Sequence, residues 1–323
     1  MQHANRDTYW EIKSLAEDLG FADFGCAKAG PVPVSIQNNY LYAMNKGYFA
    51  SMQYLNKNIE KRFNPCNLVE DAASVLVFLA PFSLPQNLTP PAGISQYALG
   101  EDYHTVIKGK LFKIMELLSS RYQNFKGRAF TDSAPVLERE WAVKAGLGFI
   151  GKNNFLISKK CGIKNFLATI ICNLNLPQTD EMEPEKRWQT TASCGDCNRC
   201  LVACPTGALH KEFCIDAGKC ISYHTIENRN LKEEILCSKV PHFNNRLFGC
   251  DSCLDACPWN SRNLSGWKEF HKNYEFLSNL EEDWWMNVSE VDFNSKFKDS
   301  PLSRGGLKNI QTALIWGKKE KNG

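Results

Sequence analysis

The chain has 323 residues, of which 43% are hydrophobic and 23% charged, and a formal charge of +3. Such a length supports roughly two or three domains with sizeable cores, and the composition leaves little room for extensive disorder. The charge is too small to declare a nucleic-acid partner, although a local cluster of basic residues would suffice for one. The longest apolar runs, "SVLVFLAPF" and "FLATIICNLNL", are too short to cross a membrane. The start, "MQHANRDTYWEIK", lacks the basic residues and apolar stretch of a secretory signal, so a cytoplasmic location is expected.

Taken in chain order, "RDTYWEIKSLAEDLG" has apolar residues at helical spacing and ends on Gly20. "FADFGCAKA" is strand-like, and "ASVLVFLAPF" reads as a strand buried on both faces. "DYHTVIKGKLFKIMELLSSRYQ" predicts a helix and "GRAFTD" a strand. "PVLEREWAVKAGLG" predicts a second helix, with a proline near its first turn and a glycine at its end. "FLISKK", a turn at Gly162 and "KNFLATIICNLNL" suggest a hairpin. This alternation argues for an α/β (α+β) layer domain over residues 1–180. The polar, aperiodic stretch "PQTDEMEPEKRWQTTAS" marks its end. A cysteine-rich domain over 181–262 follows, then a partly helical segment over 263–323.

Without an export signal, fourteen cysteines point to metal or redox chemistry rather than disulfides. Cys26, Cys66, Cys161 and Cys172 are scattered and read as small buried hydrophobes, whereas ten lie between Cys194 and Cys257. "CGDCNRCLVACPTGAL" carries the C-x2-C-x2-C-x3-C-P run of bacterial ferredoxins, whose fourth thiolate ligates the other cluster. Cys194, Cys197 and Cys200 are thus expected on one 4Fe-4S cluster, with Cys204 crossing to the second. "GCDSCLDACPWN" supplies Cys250 and Cys253 to the second cluster, and Cys257 crosses back to complete the first. One ligand is still wanting, with Cys214, Cys220 and Cys237 as candidates. Spacing does not choose among them; "DAGKCISYHTIE" resembles a helix start able to present a side chain, which favours Cys220. Paired zinc ribbons are the alternative, but they rarely show three thiolates at successive two-residue spacing before a fourth next to proline.

Asp132 ends the strand "GRAFTD", where α/β sheets bind ligands, yet position alone reads it as the cap of the next helix. Glu138 and Glu140 fall in that helix's first turns, where the dipole suffices to explain them. "GLGFIGKNN" matches neither phosphate-loop nor dinucleotide patterns. "DYH" at Asp102–His104 contains part of a motif by which some cobalamin proteins give a histidine to cobalt. Ile107 stands where its glycine should be, so His104 is not expected to ligate cobalt.

Several stretches together resemble the epoxyqueuosine reductases: "EKRFNP", "GEDYH", "TDSAPVLEREWAVKAGLGFIGKNNFLIS", "CGDCNRCLVACPTGAL", "CISYHTIE" and "GCDSCLDACPWN". In order and spacing they cover about residues 1–262. The resemblance implies reduction of epoxyqueuosine to queuosine in the anticodon stem-loop of tRNA. It implies base-off cobalamin between the two domains, fed by two 4Fe-4S clusters and an external electron donor. It makes Asp132 the proton donor and a cobalamin neighbour, and Cys220 the missing cluster ligand. Further cobalamin contacts carry over to Arg62, Ser95, Leu156, Ser222, Asp251 and Ser252. The protein is expected to act as a monomer without membrane contact.

Longer members of that family add a helical-repeat region that grips tRNA, of which "SPLSRGGLKNIQTAL" resembles only the start. The grip is then expected from Arg229, Arg246, Lys268, Arg304 and Lys308, with Trp259, Trp284 and Trp285 able to stack on unpaired bases. Two rivals stand beside this reading: a reductive-dehalogenase-like corrinoid enzyme acting on a small molecule, and a non-enzymatic two-cluster electron-transfer module that would bind no corrinoid.

Overall fold

The computed structural model describes residues 2–186, 192–229 and 245–322. Helix α1 (Arg6–Asp18) begins where the Asn5 side chain accepts the Thr8 N–H, and it buries Tyr9, Ile12 and Ala16 at helical spacing. Gly20, at φ +90°, then turns the chain into β1 (Asp23–Lys28). Helix α2 (Val34–Asn45) lies on the outside, and β2 (Ser74–Pro81) crosses the middle of the domain. Helix α3 (Tyr103–Arg121) is capped by Asp102, whose carboxylate accepts the His104 N–H. Strand β3 (Gly127–Phe130), the short helix α4 (Glu138–Lys144) and strand β4 (Asn165–Cys172) complete the layer.

These strands form one sheet in the order β1-β2-β4-β3, antiparallel throughout, with Phe24 opposite Phe78, Phe78 opposite Ala168 and Ala129 opposite Ile170. The expected alternation of helix and strand is present in its α+β form. Period-two geometry explains why β2 is apolar at every position. Leu76, Phe78 and Ala80 enter the core under α1 and α3, while Val75, Val77 and Leu79 enter the core under α4.

Two local expectations change. Helix α4 starts at Glu138, leaving Pro135 in the preceding loop, because Leu137 already has non-helical backbone angles. The stretch "FLISKK" turns back near Gly162, with Ser158 bridging it, but Leu156–Ile157 pairs with Phe149–Ile150 rather than with β4.

The cysteine-rich part contributes two four-residue helices, α5 (Arg199–Val202) and α6 (Ser252–Asp255), which pack on each other. Between them a 3-10 turn at Ala217–Lys219 leads into a π-helical turn at Tyr223–Glu227. A third core gathers Leu99, Phe248, Leu277, Trp285, Phe297 and Ile310. It seats the C-terminal helices, including α7 (Glu290–Phe297) and α8 (Leu302–Asn322, broken at Gly306), on the loop that leads into α3. Among the described residues no helix is long and apolar enough to cross a membrane.

Candidate functional site

Asp132 stands just past β3 in a loop held by the buried Thr131, whose hydroxyl donates to the Leu167 carbonyl at 2.8 Å. Its backbone adopts φ +55°, a left-handed conformation that costs a non-glycine residue energy unless its surroundings hold it. Those surroundings are Glu138 and Tyr103. Glu138 Oε2 accepts the Asp132 N–H at 3.0 Å, and the Tyr103 hydroxyl donates to Asp132 Oδ2 at 2.6 Å. His104 Nε2 lies 3.8 Å from the same oxygen. The Asp132 side chain is 68% exposed, so its second oxygen faces outward. Asp132 does not cap α4: the cap position is Leu137, which makes no side-chain bond. Position alone therefore misassigns it.

Electrostatics separates the roles of these groups. Burial, then the nearby Asp132 charge, pushes the Tyr103 hydroxyl far above its ordinary range, so it remains a donor. Burial, then Asp132, pushes the Glu138 carboxyl up to about 8, and its Oε1 is shielded without a hydrogen-bond partner among the described residues. Burial also raises Asp102, but the hydrogen bonds from His104 and the Arg304 charge outweigh it and hold that carboxyl below its usual range. Tyr103, His104 and Glu138 carried no predicted role. The signal for the first two was the "DYH" string, considered only as a route to cobalt; Glu138 was explained by the helix dipole alone.

The cysteines fall into two neighbourhoods. Burial, together with Cys194, Cys200 and Cys197, pushes the Cys257 thiol up to about 11. These four thiols line a cavity of about 60 Å³, closed by Lys152, Asn153 and Trp259. Burial, together with Cys250 and Cys204, pushes Cys220 up to about 11, and Cys253 rises through burial and the same three neighbours. Four mutually repelling thiolates around one space are what a cationic iron core would relieve. Cys214 sits elsewhere, with Lys211 and Asp216 as its charged neighbours; Cys237 lies outside the described residues. Among the described residues no group of three or more His, Cys, Asp or Glu side chains is arranged as a single-metal site. The loop "GKNN", assigned no ligand from sequence, touches both cysteine motifs: Lys152 lines the cavity, and Asn153 Nδ2 donates to the Cys253 carbonyl at 3.1 Å.

The remaining predicted residues are placed in different ways. Arg62 is buried, its Nε has no hydrogen-bond partner among the described residues, and its guanidinium stacks on Tyr40 at 5.5 Å. Ser95 and Asp251 bond to each other, and Asp251 Oδ2 also accepts the Gln96 N–H at 2.8 Å. Gly249 makes that approach feasible, since a Cβ there would come within 2.6 Å of the Ser95 Cβ. Ser252 receives the Cys250 thiol at 3.3 Å and the Arg246 guanidinium at 3.5 Å. Ser222 is half-buried before the π-helical turn, and Leu156 lies in the core under α4. Of the basic residues, Arg304 is engaged by Glu227 in a two-pronged pair at 2.7 and 3.0 Å, and Arg229 donates to the Arg304 carbonyl. Lys268 and Lys308 are exposed. Trp285 is buried against Phe297 and Trp284 packs edge-on against it, so this pair builds core; Trp259 borders the cysteine cavity.

Two family models match the chain: a 4Fe-4S double cluster binding domain over residues 193–260, and one described as epoxyqueuosine reductase QueG over residues 62–133. The chain is 39% identical over 316 residues to the epoxyqueuosine reductase of Cyclobacterium marinum, covering 96% of both chains. It is 34% identical to that of Pseudomonas aeruginosa, covering 94% of this chain and 84% of the relative. Among solved structures it resembles an epoxyqueuosine reductase bound to an epoxyqueuosine-modified tRNA-Tyr stem loop. The TM-score is 0.83 at 26% identity, over 97% of this chain and 81% of that one. It also resembles the Bacillus subtilis enzyme with its catalytic aspartate loop swung out of the active site. There the TM-score is 0.81 at 27% identity, over 98% and 82% of the two chains.

Proposed function

Because the chain belongs to the epoxyqueuosine reductase family, we propose that it reduces epoxyqueuosine to queuosine at the wobble position of tRNA, with Asp132 as proton donor. The observation that carries the reading is the setting of Asp132: an exposed carboxyl held by Tyr103 at one oxygen, with His104 alongside. Protonating the epoxide oxygen as the ring opens avoids an unprotonated alkoxide in a confined site.

Cys194, Cys197, Cys200 and Cys257 hold one 4Fe-4S cluster, and Cys204, Cys220, Cys250 and Cys253 the other. Bound cobalamin, held by Arg62, Ser95, Leu156, Ser222, Asp251 and Ser252, would supply the strongly reducing cobalt chemistry. The residues present suit it: the unpartnered, buried Nε of Arg62 is a donor in search of an acceptor such as a corrin side-chain amide. Ser222 and Ser252 add hydroxyls beside the second cysteine set, Leu156 an apolar surface, and the Ser95–Asp251 pair a fixed wall. Asp132 faces the substrate side. Arg229, Arg246, Lys268, Arg304 and Lys308 carry positive charge for the tRNA backbone. Residues 1–180 form the cobalamin-binding domain, 181–262 the cluster domain and 263–323 the C-terminal segment; the enzyme acts in the cytoplasm as a monomer with an external electron donor.

The test is Asp132→Asn, assayed anaerobically on epoxyqueuosine-containing tRNA by nucleoside analysis. Cluster and cobalamin spectra are expected to persist while conversion falls by about 10²–10⁴-fold. Undiminished conversion removes Asp132 from the proton-donor role.

A further inference from the structure

Deoxygenating an epoxide to an alkene breaks two C–O bonds, forms one C=C bond and releases water, consuming two electrons and two protons. The external one-electron donor supplies the electrons through the clusters. One carboxylic acid carries only one proton, so Asp132 must be recharged before water can leave.

We propose that His104, oriented by Asp102, is the relay that returns the second proton to Asp132; this rests on the function proposed above. His104 Nδ1 lies 2.7 Å from Asp102 Oδ1 and its Nε2 3.8 Å from Asp132 Oδ2, so one ring spans two carboxylates. The second distance is slightly beyond a hydrogen bond, as catalytic contacts often are before substrate is seated. The ring is held flat on Tyr103 at 4.1 Å, and Tyr103 is stacked on Phe166 at 4.2 Å, which fixes the direction in which Nε2 points. The His104 side chain is 20% exposed, enough to take a proton from solvent.

The charged groups about this ring come from four elements. Asp102 and Tyr103 belong to the start of α3, and Lys108, one turn on, donates to Ser133 at 3.2 Å. Asp132 comes from the loop after β3, Glu138 from α4, and Arg304 from α8, close enough to act on Asp102. In the transfer, the Nε2–H bond breaks and an O–H bond forms at Asp132 Oδ2, while the Nδ1–H stays on His104, donated to the Asp102 carboxylate that stabilises the imidazolium beforehand. The plain alternative is that Asp102 only caps α3, which its bond to the His104 N–H at 2.9 Å does accomplish.

Anaerobic holoenzyme with reduced clusters distinguishes the two. In His104→Ala, conversion of epoxyqueuosine tRNA is expected to fall at least about 10²-fold and to recover, saturably, when imidazole is added to the medium; Asp132→Asn is expected not to recover. An unchanged rate in His104→Ala, or a loss that imidazole leaves untouched, overturns the relay. A second readout needs no turnover: in oxidised holoenzyme with labelled histidine, the His104 Nε2 resonance moves in Asp132→Asn and the Nδ1 resonance in Asp102→Asn. A stationary Nε2 resonance overturns the proposal too. Wild-type protein that converts no epoxyqueuosine defeats the functional reading instead, and the resonances still decide whether His104 is coupled to Asp132.

Discussion

Replacing Glu138 by Gln isolates the one buried carboxyl that touches the Asp132 loop. In the unfolded chain this carboxyl loses its proton near the ordinary value of 4.5, whereas burial and the Asp132 charge delay that loss to about 8 in the folded protein. Between those limits the folded state binds more protons than the unfolded state, so stability falls as pH rises, by about 1.4 kcal/mol per pH unit. Across the window the loss sums to at most about 5 kcal/mol, less to the extent that the exposed loop opens to hydrate the charge. Gln stays neutral and keeps an oxygen for the Asp132 N–H, but it puts an amide nitrogen where Oε1 has no partner, costing about 1–3 kcal/mol. The two effects oppose each other. At pH 5 the variant is expected to be less stable than wild type, and at pH 9 more stable by roughly 2–4 kcal/mol. Urea unfolding of anaerobic holoprotein at several pH values measures the crossing. Parallel stability curves for the two proteins would show that Glu138 is ionised at neutral pH and would refute the reasoning.

Cys220→Ser is expected to lower iron from about eight to about four atoms per chain, while Cys214→Ser keeps the full content. Equal losses in the two variants would move the eighth ligand away from Cys220. Asp251→Ala leaves the Ser95 hydroxyl and Gln96 N–H buried without their acceptor, at about 1–3 kcal/mol for each. Thermal unfolding reads this as a clear drop in Tm, partly regained in Asp251→Asn; a Tm equal to wild type would show that the pair is not a structural tie.

Features determined by neighbouring residues were legible in the chain. The helical spacing of Tyr9, Ile12 and Ala16 and the unbroken apolar run of β2 each follow from local periodicity, and the structure has both. Periodicity says nothing about which strand a strand meets. The antiparallel order of the sheet and the return of Leu156–Ile157 to Phe149–Ile150 therefore required tertiary packing to decide. The same limit hid part of the site. Asp132 and Tyr103 are 29 residues apart, and their 2.6 Å contact exists because α3 and β3 both border β4 at Phe166 and Thr169. Glu138 was visible as an acidic residue in a first turn, but its bond reaches back to a left-handed residue that no pattern announces.

The acid and the cysteines belong to separate stretches of chain, so something must hold them in register. Residues 82–102 do this. Their backbone pairs with the cluster region at Ser95, whose N–H donates to the Phe248 carbonyl at 2.9 Å, and Asp251 clamps both Ser95 and Gln96. One residue further, Tyr97 is half-buried, and its hydroxyl feels both Asp132 and Asp251, so it lies between the acid and the second cysteine motif. The C-terminal segment closes the remaining side. Arg304 grips Glu227 with two nitrogens, Tyr54 donates to the same carboxylate at 3.4 Å, and Asn309 donates to the Asn228 carbonyl at 3.0 Å. A guanidinium already committed to a carboxylate gains less from a phosphate than a free one does. Arg304 is thus committed to Glu227, whereas Lys268 and Lys308 stand exposed.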